Sequence, residues 1–404
     1  MSSTGYFQYN LRTVVHCAAG ATLRIPSLFE GLGGKRVLLL SDQGLKQAGL
    51  VDHVASVFDN GGCGPQLVGV YTDIAPDAAC DTLNAALSYA REIAADSLLA
   101  LGGGSVLDAA KGIKYALHHN LIDVRDAIQA GIKIEAWPLA GPMGVPHIAV
   151  PTTAGTGAEA TPVAVLYNET LGIKGNILAP FIEADIAVLD ANLTRGLPPK
   201  ITAATGMDAL THAIEAITSP NANHFTDAQA FLSARLIVDN LPTAVHTGQE
   251  LETRSTMLQA STMACSAFSN ALNAAPVHNC AHAFGALYHI PHGDANAALL
   301  PIVMEALPEF YVPQAQRLAA ALGLDGGGNS GELLLMDVIE RIVALQRDIG
   351  CASDFAAYDI SPHDGDKIAA AIAADPAAMF YPIPVEAITG IVARAIGHSK
   401  QSRV

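Results

Sequence analysis

The sequence predicts two domains, an α/β N-terminal domain built on a parallel sheet and an all-α C-terminal domain. Strand-like and helix-like segments alternate up to about residue 195, and such alternation is typical of a parallel sheet with helical crossovers. From LPPK (197–200) onward, Ala-rich stretches carry apolar residues at intervals of three and four, which is the period of a helix. The 404 residues also exceed the size at which single cores usually stop growing. The predicted domains are therefore 1–195 and 196–404.

Each strand of the first domain is indicated by a short apolar run with turn residues beside it. These runs are RVLLLSD (36–42), QLVGVY (66–71), SLLALGGGS (97–105), HIAVPTTAGTGAEAT (147–161) and IAVLDANL (186–193). The predicted helices follow the first strand through about 58 and cover 77–94 and 105–118. In the second domain, loops such as SPNANH (219–224) and GLDGGGNSG (323–331) separate the helices.

Composition excludes several classes of partner. A formal net charge of −16 argues against a nucleic-acid or anionic-membrane partner. No uninterrupted apolar stretch reaches the roughly 18 residues of a membrane span, and no targeting segment opens the chain. The six cysteines form no CxxC pair, which favours reduced thiols and a cytoplasmic protein. With half its residues hydrophobic and 15% charged, the chain is expected to be a compact enzyme that forms a homodimer or larger homo-oligomer.

The segment LLALGGGSVLDAAK (98–111) joins a strand, a glycine triplet and a helix start, as a phosphate-binding turn does. Glycines let backbone N–H groups approach a diphosphate closely, and the positive end of the following helix faces it. Such a site needs no basic side chain, which matters in so acidic a protein. The alternative is a tight strand-to-helix turn that binds nothing, with Ser105 as the N-cap.

A second loop with two glycines, PTTAGTGAEAT (151–161), offers hydroxyls to a phosphate or ribose. Asp42 ends the first predicted strand, where its carboxylate is placed to accept a ribose hydroxyl and to repel a 2′-phosphate, so NAD is predicted rather than NADP. No GxGxxG fingerprint follows that strand. The candidate cofactor-binding residues are Asp42, Gly102, Gly103, Gly104, Ser105, Asp108, Thr152, Thr153, Thr156 and Thr161.

One carboxylate and three imidazoles are available to a single metal ion. Asp208 and His212 lie four residues apart in GMDALTHAIEA, so a helix presents both from one face. His278 and His292 in VHNCAHAFGALYHIPHG would complete the set. Any one histidine alone is more often an interior or surface residue than a ligand. The four residues together favour a metal site, because polar side chains in apolar segments need a partner or a charge that compensates their desolvation. Such ligands suit Fe²⁺ or Zn²⁺, and Mn²⁺ and Ni²⁺ remain open.

The segment VHNCAHAFGALYHIPHG contains further residues whose positions relative to the metal ligands can be predicted. His282 repeats the i, i+4 spacing after His278, whereas the spacing of Cys280 puts its thiol off that helical face. Pro291 and Gly293 flank His292 and predict a loop just past the helix.

The segments GGGSVLDAAK, PTTAGTGAEAT, TGMDALTHAIEA and HNCAHAFGALYHIPHG, in this order, closely resemble the iron-containing (group III) alcohol dehydrogenase family. The resemblance runs from about Val37 to Pro382. It implies a dehydroquinate synthase-like fold, with an N-terminal dinucleotide-binding α/β domain and an all-helical C-terminal metal-binding domain. It also implies NAD and one divalent metal as cofactors, Fe²⁺ first and Zn²⁺ next.

Carried over by residue, the resemblance implies the metal ligands Asp208, His212, His278 and His292. His282 would lie near the metal without ligating it. The cofactor-binding residues named above match the family positions, and Lys174 matches a lysine near the cofactor ribose.

Two segments depart from the family pattern. SNALNAAPV, between Phe268 and His278, is one residue longer than usual. DPAAMFYPIP (375–384) stands where many members carry a cysteine and an Asn-Pro-Arg stretch, and Ala377 takes the cysteine's place. Both segments face the substrate in the family. The resemblance therefore does not identify the substrate of this chain.

The expected function is therefore a metal-dependent, NAD-linked alcohol dehydrogenase or aldehyde reductase that transfers hydride between a primary alcohol held at the metal and NAD. His282 is the candidate proton relay, because imidazole titrates near neutral pH. The substrate-side segments offer no arginine clamp, which favours a neutral alcohol of medium chain length. The alternatives are a glycerol- or diol-type dehydrogenase, a maleylacetate reductase, a hydroxyacid–oxoacid transhydrogenase and a catalytically silent assembly subunit.

Overall fold

A computed structural model describes residues 6–59, 64–136, 138 and 140–397. These residues form two compact units. Of the described residues, those in Leu11–Leu197 and Gln249–Thr262 form the sheet unit, and residues 6–10, Pro198–Gly248 and 263–397 form the helical unit. Compared with the predicted division at residue 195, the sheet unit also includes part of a later helix, because Leu258 packs against Ala187 and Leu189.

A six-stranded parallel sheet is the centre of the sheet unit. Its strands are β1 (Val14–Cys17), β2 (Arg36–Leu40), β3 (Gln66–Tyr71), β4 (Ser97–Gly102), β6 (His147–Pro151) and β9 (Ile186–Leu189). They are arranged in the order β1-β9-β6-β4-β2-β3, and all neighbours run parallel. The register pairs Gly102 with Pro151, so the loops that follow β4 and β6 leave the sheet side by side. The predicted parallel sheet is confirmed.

The inner strands β2, β4, β6 and β9 are buried on both faces, as expected for a parallel sheet covered by helices. In β2, Val37 and Leu39 pack into one core with Phe29 of the first helix. Leu38 and Leu40 pack into the other core with the helices that follow β3 and β4. The near-continuous apolar run of this strand is therefore explained by two-sided burial.

The sequence patterns missed the smaller elements. A second sheet has the order β5-β8-β7, with β5 (Ile132–Ile134), β7 (Val163–Asn168) and β8 (Ile173–Leu178). β7 and β8 form an antiparallel pair. The long helix expected after β2 is broken at Gly49, whose φ of 77° ends one short helix and starts the next. The helices of the sheet unit are α1 (Ile25–Leu32), α2 (Gln43–Gln47), α3 (Leu50–Ala55), α4 (Cys80–Glu92) and α5 (Gly104–His118).

The helical unit is built around α6, in which every residue from Thr202 to Thr218 is buried except the half-buried Thr205. Gly206 allows the close approach of the next helix, because a Cβ at this position would lie 2.3 Å from Leu241 Cδ1. The helices are α6 (Pro199–Thr218), α7 (His224–His246), α8 (Leu251–Asn270), α9 (Pro276–Tyr288), α10 (His292–Ala306), α11 (Pro308–Tyr311), α12 (Ala315–Leu322), α13 (Gly331–Ile349), α14 (Gly365–Ala374) and α15 (Val385–Ala395). α8 begins in the sheet unit and ends in the helical unit. The predicted helical C-terminal part is confirmed.

Two further observations concern the chain as a whole. Among the described residues, none of the helices combines the length and apolar character required to cross a bilayer. Five of the six cysteines are free thiols, and Cys63 lies outside the described residues.

Candidate metal centre and cofactor turn

Three helices of the helical unit bring the predicted metal ligands together. α6 carries Asp208 and His212 one turn apart, and both side chains are buried. α9 carries His278, and α10 begins with His292. His292 therefore belongs to a helix, and its predicted placement in a loop is wrong. The chain turns through His289, which has a φ of 55°, and Pro291 then serves as the N-cap of α10.

The ligand atoms of this group are close enough to share one ion. One atom each from Asp208, His278 and His292 lies within 4.8 Å of the others. The distance from Asp208 Oδ1 to Nε2 is 3.7 Å for His278 and 3.5 Å for His292. His212 Nε2 lies 3.1 Å from His278 Nε2. Three of the four predicted ligands, Asp208, His278 and His292, thus surround one point, and His212 lies next to them.

Electrostatics within this cluster are dominated by burial and by mutual attraction. Burial alone would raise the pKa of Asp208, but the imidazoles of His212, His292 and His278 outweigh it and hold that pKa well below its usual range. Burial would likewise lower the pKa of His278, but the carboxylates of Glu215 and Asp208 raise it to about 9. The buried carboxylate of Asp208 thus faces the imidazole of His278, whose affinity for a proton is raised.

Two further polar side chains touch the predicted ligands and were missed in the sequence. Glu215 on α6 accepts a hydrogen bond from His278 Nδ1 at 2.5 Å. Asn296 Nδ2 on α10 donates to Asp208 Oδ1 at 2.7 Å and lies 3.1 Å from His292 Nε2. Their positions could have been found from helical spacing, because Glu215 follows His212 by three residues and Asn296 follows His292 by four.

His282 lies beside the ligand cluster, half-buried on α9. Its ring centroid is 5.5 Å from that of His292 and 6.2 Å from that of His278. Its Nδ1 is 3.2 Å from Asp375 Oδ2, a partner that no helical spacing indicates. Phe268 forms a wall of the same site, with its ring 5.0 Å from that of His278 and 5.1 Å from that of His212.

The predicted phosphate turn lies at the carboxyl end of β4. Gly103 is the N-cap of α5, so the suggestion that Ser105 caps this helix is wrong. Ser105 Oγ instead accepts a hydrogen bond from the backbone N–H of Asp77. A Cβ on Gly104 would lie 2.7 Å from Thr156 Cγ2, and Thr153 Oγ1 lies 3.4 Å from the place of a Cβ on Gly103. The two predicted cofactor loops are therefore packed against each other.

The remaining predicted cofactor residues have partners of their own. Asp42 caps α2, and its Oδ1 accepts the Leu45 N–H at 2.9 Å. Lys174 Nζ lies 2.7 Å from Asp77 Oδ1. Thr152 is buried and its N–H donates to Gly102 O.

Asp108 and Thr161 face the interior of the sheet unit. Both contact the fully buried Lys111, whose Nζ is 2.8 Å from Asp108 Oδ1 and 3.3 Å from Thr161 Oγ1. Burial raises the pKa of Asp108, and the lysine partly offsets this. These two predicted cofactor residues thus share a contact with a buried lysine.

Known protein families match both halves of the chain. The description "Iron-containing alcohol dehydrogenase" matches residues 13–191, and "Fe-containing alcohol dehydrogenase family, C-terminal" matches residues 202–396. Long-chain-alcohol dehydrogenase 1 of Geobacillus thermodenitrificans is 34% identical over 349 residues, 85% of each chain. The 1,3-propanediol dehydrogenase of Klebsiella pneumoniae is 38% identical over 330 residues, 79% of this chain and 80% of the relative.

A solved structure agrees with this assignment. The crystal structure of a 1,3-propanediol oxidoreductase superposes with a TM-score of 0.87 at 33% identity, covering 97% of this chain and all of the other. The resemblance found in the four sequence segments is thus confirmed along almost the whole chain. The chain belongs to the iron-containing alcohol dehydrogenase family and is a metal-dependent oxidoreductase that acts on CH–OH groups.

Proposed function

We propose that this enzyme is an NAD-linked alcohol dehydrogenase and aldehyde reductase that transfers hydride between a primary alcohol and NAD at a centre that holds Fe²⁺. The observation that carries the proposal is the convergence of Asp208, His278 and His292, whose ligand atoms lie within 4.8 Å of one another. With His212 beside them, they offer one oxygen and three nitrogen donors, all buried except the half-buried His292, and such a donor set fits a divalent ion.

In this proposal Asp208, His212, His278 and His292 hold the metal. The metal would supply Lewis acidity toward the substrate oxygen. Fe²⁺ is favoured by the family to which the chain belongs, and Zn²⁺ is the next candidate because the same donors suit it. Asp208 supplies the negative charge of the donor set, and its lowered pKa keeps it ionised over the working range of pH.

The sheet unit is proposed to bind NAD at the carboxyl ends of β2, β4 and β6. Gly102–Ser105 would direct backbone N–H groups and the start of α5 toward the diphosphate. Thr152, Thr153 and Thr156 would contact the cofactor from the neighbouring loop. Asp42 lies between β2 and α2, as the N-cap of α2, and its carboxylate would repel the 2′-phosphate of NADP. NAD supplies the hydride acceptor.

His282 is proposed to move the substrate proton. Its Nδ1 faces Asp375, so the carboxylate would hold the ring orientation and leave Nε2 for proton exchange. Asp375 thus acts on the reaction through His282.

The proposed substrates are neutral primary alcohols and their aldehydes. The two segments that depart from the family pattern contain no arginine, and a dicarboxylate is usually bound by bidentate arginine contacts. The two relatives are named for long-chain alcohols and for 1,3-propanediol. Because the diol enzyme is 38% identical to this chain, oxidation of a short diol is the second candidate function.

A cytoplasmic location and a homo-oligomeric assembly are proposed on two separate grounds. The five described cysteines are free, which suits the reducing cytoplasm. The abundance of apolar residues favours a homo-oligomer. Light scattering of the purified protein measures its assembly directly.

The test is to strip the enzyme with a chelator, restore Fe²⁺, Zn²⁺, Mn²⁺ or Ni²⁺ separately, and follow NADH with graded primary alcohols, secondary alcohols and diols. We expect metal-dependent NADH formation that is fastest with a primary alcohol. Asp208→Ala should stay inactive with every metal, whereas Asp239→Ala, which changes an exposed carboxylate of α7, should behave as the wild type. If no metal restores activity although NAD binds, the proposal fails, and exchange between an alcohol and a second carbonyl compound without added NAD would support a transhydrogenase.

A further inference from the structure

Glu215 is a fully buried carboxylate at the centre of the helical unit. Both of its oxygens are engaged. Oε2 accepts from His278 Nδ1 at 2.5 Å, and Oε1 accepts from the backbone N–H of Val277 at 2.7 Å. Burying an ionised carboxylate is costly unless hydrogen bonds and a countercharge compensate it, so this placement calls for an explanation in the chemistry of the site.

We propose that Glu215 is a positioning residue for the metal centre, and that it acts by fixing the tautomer and the ring orientation of His278. This inference rests on the proposed function. A histidine that donates from Nδ1 to a carboxylate carries its proton there, which leaves the Nε2 lone pair for a metal. His278 Nε2 is the atom that faces Asp208 and His212.

The second hydrogen bond extends this effect from the side chain to the helix. Val277 lies in the first turn of α9, where backbone N–H groups have no partner within the helix. Glu215 supplies that partner from α6, the helix that carries Asp208 and His212. The Glu215 carboxylate thus fixes the position of the start of α9 relative to α6, and it also fixes the ring orientation of His278 on α9.

Charge balance points the same way. Three neutral imidazoles and Asp208 would leave a divalent ion with a surplus of one positive charge in a buried site. Glu215 and Asp208, which are 0% and 1% exposed, together supply two negative charges. Carboxylates bound to the distal nitrogen of a ligating histidine commonly orient the ring and raise its basicity.

Glu215→Gln is a sharp test because glutamine keeps the shape but has one acceptor oxygen in place of two. Either the Val277 N–H or His278 Nδ1 would then face an amide NH₂ group. The matched control is Glu183→Gln, which alters a buried carboxylate of the sheet unit.

The measurement is the Kd of Co²⁺ and Zn²⁺ for the metal-free full-length protein, by competition with a chromogenic chelator, together with the Co²⁺ absorption spectrum. We expect Glu215→Gln to weaken binding about 10- to 100-fold and to shift the Co²⁺ bands, while Glu183→Gln matches the wild type. Unchanged circular dichroism and NAD binding would show that the variant is folded.

A double-mutant cycle separates positioning from a general structural role. If Glu215 acts through His278, Glu215→Gln should add less than about twofold to the loss caused by His278→Ala. A full additional loss on that background, or wild-type affinity and spectrum in the single variant, would overturn the inference. Metal binding by the wild type without alcohol turnover would overturn the proposed function alone.

Discussion

At the residue scale, His282 and Asp375 form a pair beside the predicted ligands, with 3.2 Å between Nδ1 and Oδ2. Replacing His282 with alanine should leave the metal bound and lower kcat by about 10²- to 10⁴-fold, since a positioned proton-transfer group contributes on that order. Metal content measured by mass spectrometry, together with steady-state kinetics, checks both halves of this expectation.

The appropriate control is His246→Ala, which removes an exposed histidine that pairs with Asp348 and should change neither quantity. If His282→Ala retained full turnover and an unchanged pH profile, the proton would have to leave by another route. Loss of the metal in this variant would instead assign His282 to ligand binding.

Residue spacing explains which parts of the site could be predicted from sequence. Asp208 and His212 lie on one helix, so their spacing alone places them together. Glu215 and Asn296 were equally accessible to that logic, but a glutamate or asparagine in a helix is so common that spacing alone gives it no role. Asp375 lies far along the chain from His282, and no local pattern reports such a long-range contact.

At the element scale, the two predicted cofactor loops pack at one glycine. A methyl group on Gly104 would lie 2.7 Å from Thr156 Cγ2 and 3.0 Å from its Oγ1. Gly104→Ala should therefore push the loops apart, at an overpacking cost of about 1–3 kcal/mol. If this cost falls on cofactor binding, the Kd of NAD rises roughly 5- to 150-fold, which calorimetric titration of NAD would detect.

Metal content should be unaffected by Gly104→Ala, because its contacts lie within the sheet unit. Gly31→Ala is the matched control, since a Cβ on this α1 glycine meets nothing within 4 Å. Normal NAD affinity in Gly104→Ala would mean that the glycine triplet is only a tight turn.

A second glycine sets the distance between two ligand-bearing helices. A Cβ on Gly293 would lie 2.7 Å from the backbone oxygen of Ala204, and a backbone atom cannot rotate away. Gly293→Ala should displace the start of α10 from α6 and move His292 relative to Asp208. We expect weaker metal binding and a free energy of unfolding lower by about 1–3 kcal/mol, measured by chelator competition and urea denaturation.

Gly390→Ala in α15 serves as the comparison, because its Cβ would meet nothing within 4 Å. Equal metal affinity in the two variants would show that α10 can shift without disturbing the site.

The elements themselves were predictable where the apolar pattern was strong. β2, β4, β6 and β9 are almost completely buried, and their apolar runs mark them. β1 and β5 are short and partly exposed, so their sequences lack the apolar run that marks a buried strand. The start of α10 was misjudged because Pro291 and Gly293 suggest a loop, whereas proline at the N-cap and glycine in the first turn are compatible with a helix start.

At the scale of the whole molecule, all predicted metal ligands belong to the helical unit. A ligand that binds only the folded state raises the free energy of unfolding by about 2.7 kcal/mol at a hundredfold excess over its Kd. Removing the metal should therefore lower the Tm by several degrees, and restoring it should reverse the change. Differential scanning calorimetry with and without chelator measures this shift.

Asp208→Ala provides the internal control for that experiment, because its Tm should not respond to metal. A wild-type Tm that stays constant across all metal concentrations would argue against binding at this centre. The net charge of −16 attracts cations nonspecifically, so the result is the difference in Tm shift between the wild type and Asp208→Ala rather than the wild-type shift alone.

The burial of α6 also has a consequence for how this enzyme can change. About two turns of this helix carry Asp208, His212 and Glu215, and the residues between them are all buried. A mutation there changes volume or charge in a closely packed region, so we expect few substitutions in this helix to be tolerated. The segment from Ala377 to Tyr381 is different, because Met379 and Phe380 are each 61% exposed although Asp375, just before them, contacts His282. New substrate preferences should therefore arise by replacement in that short segment, which laboratory evolution can randomise without losing the metal.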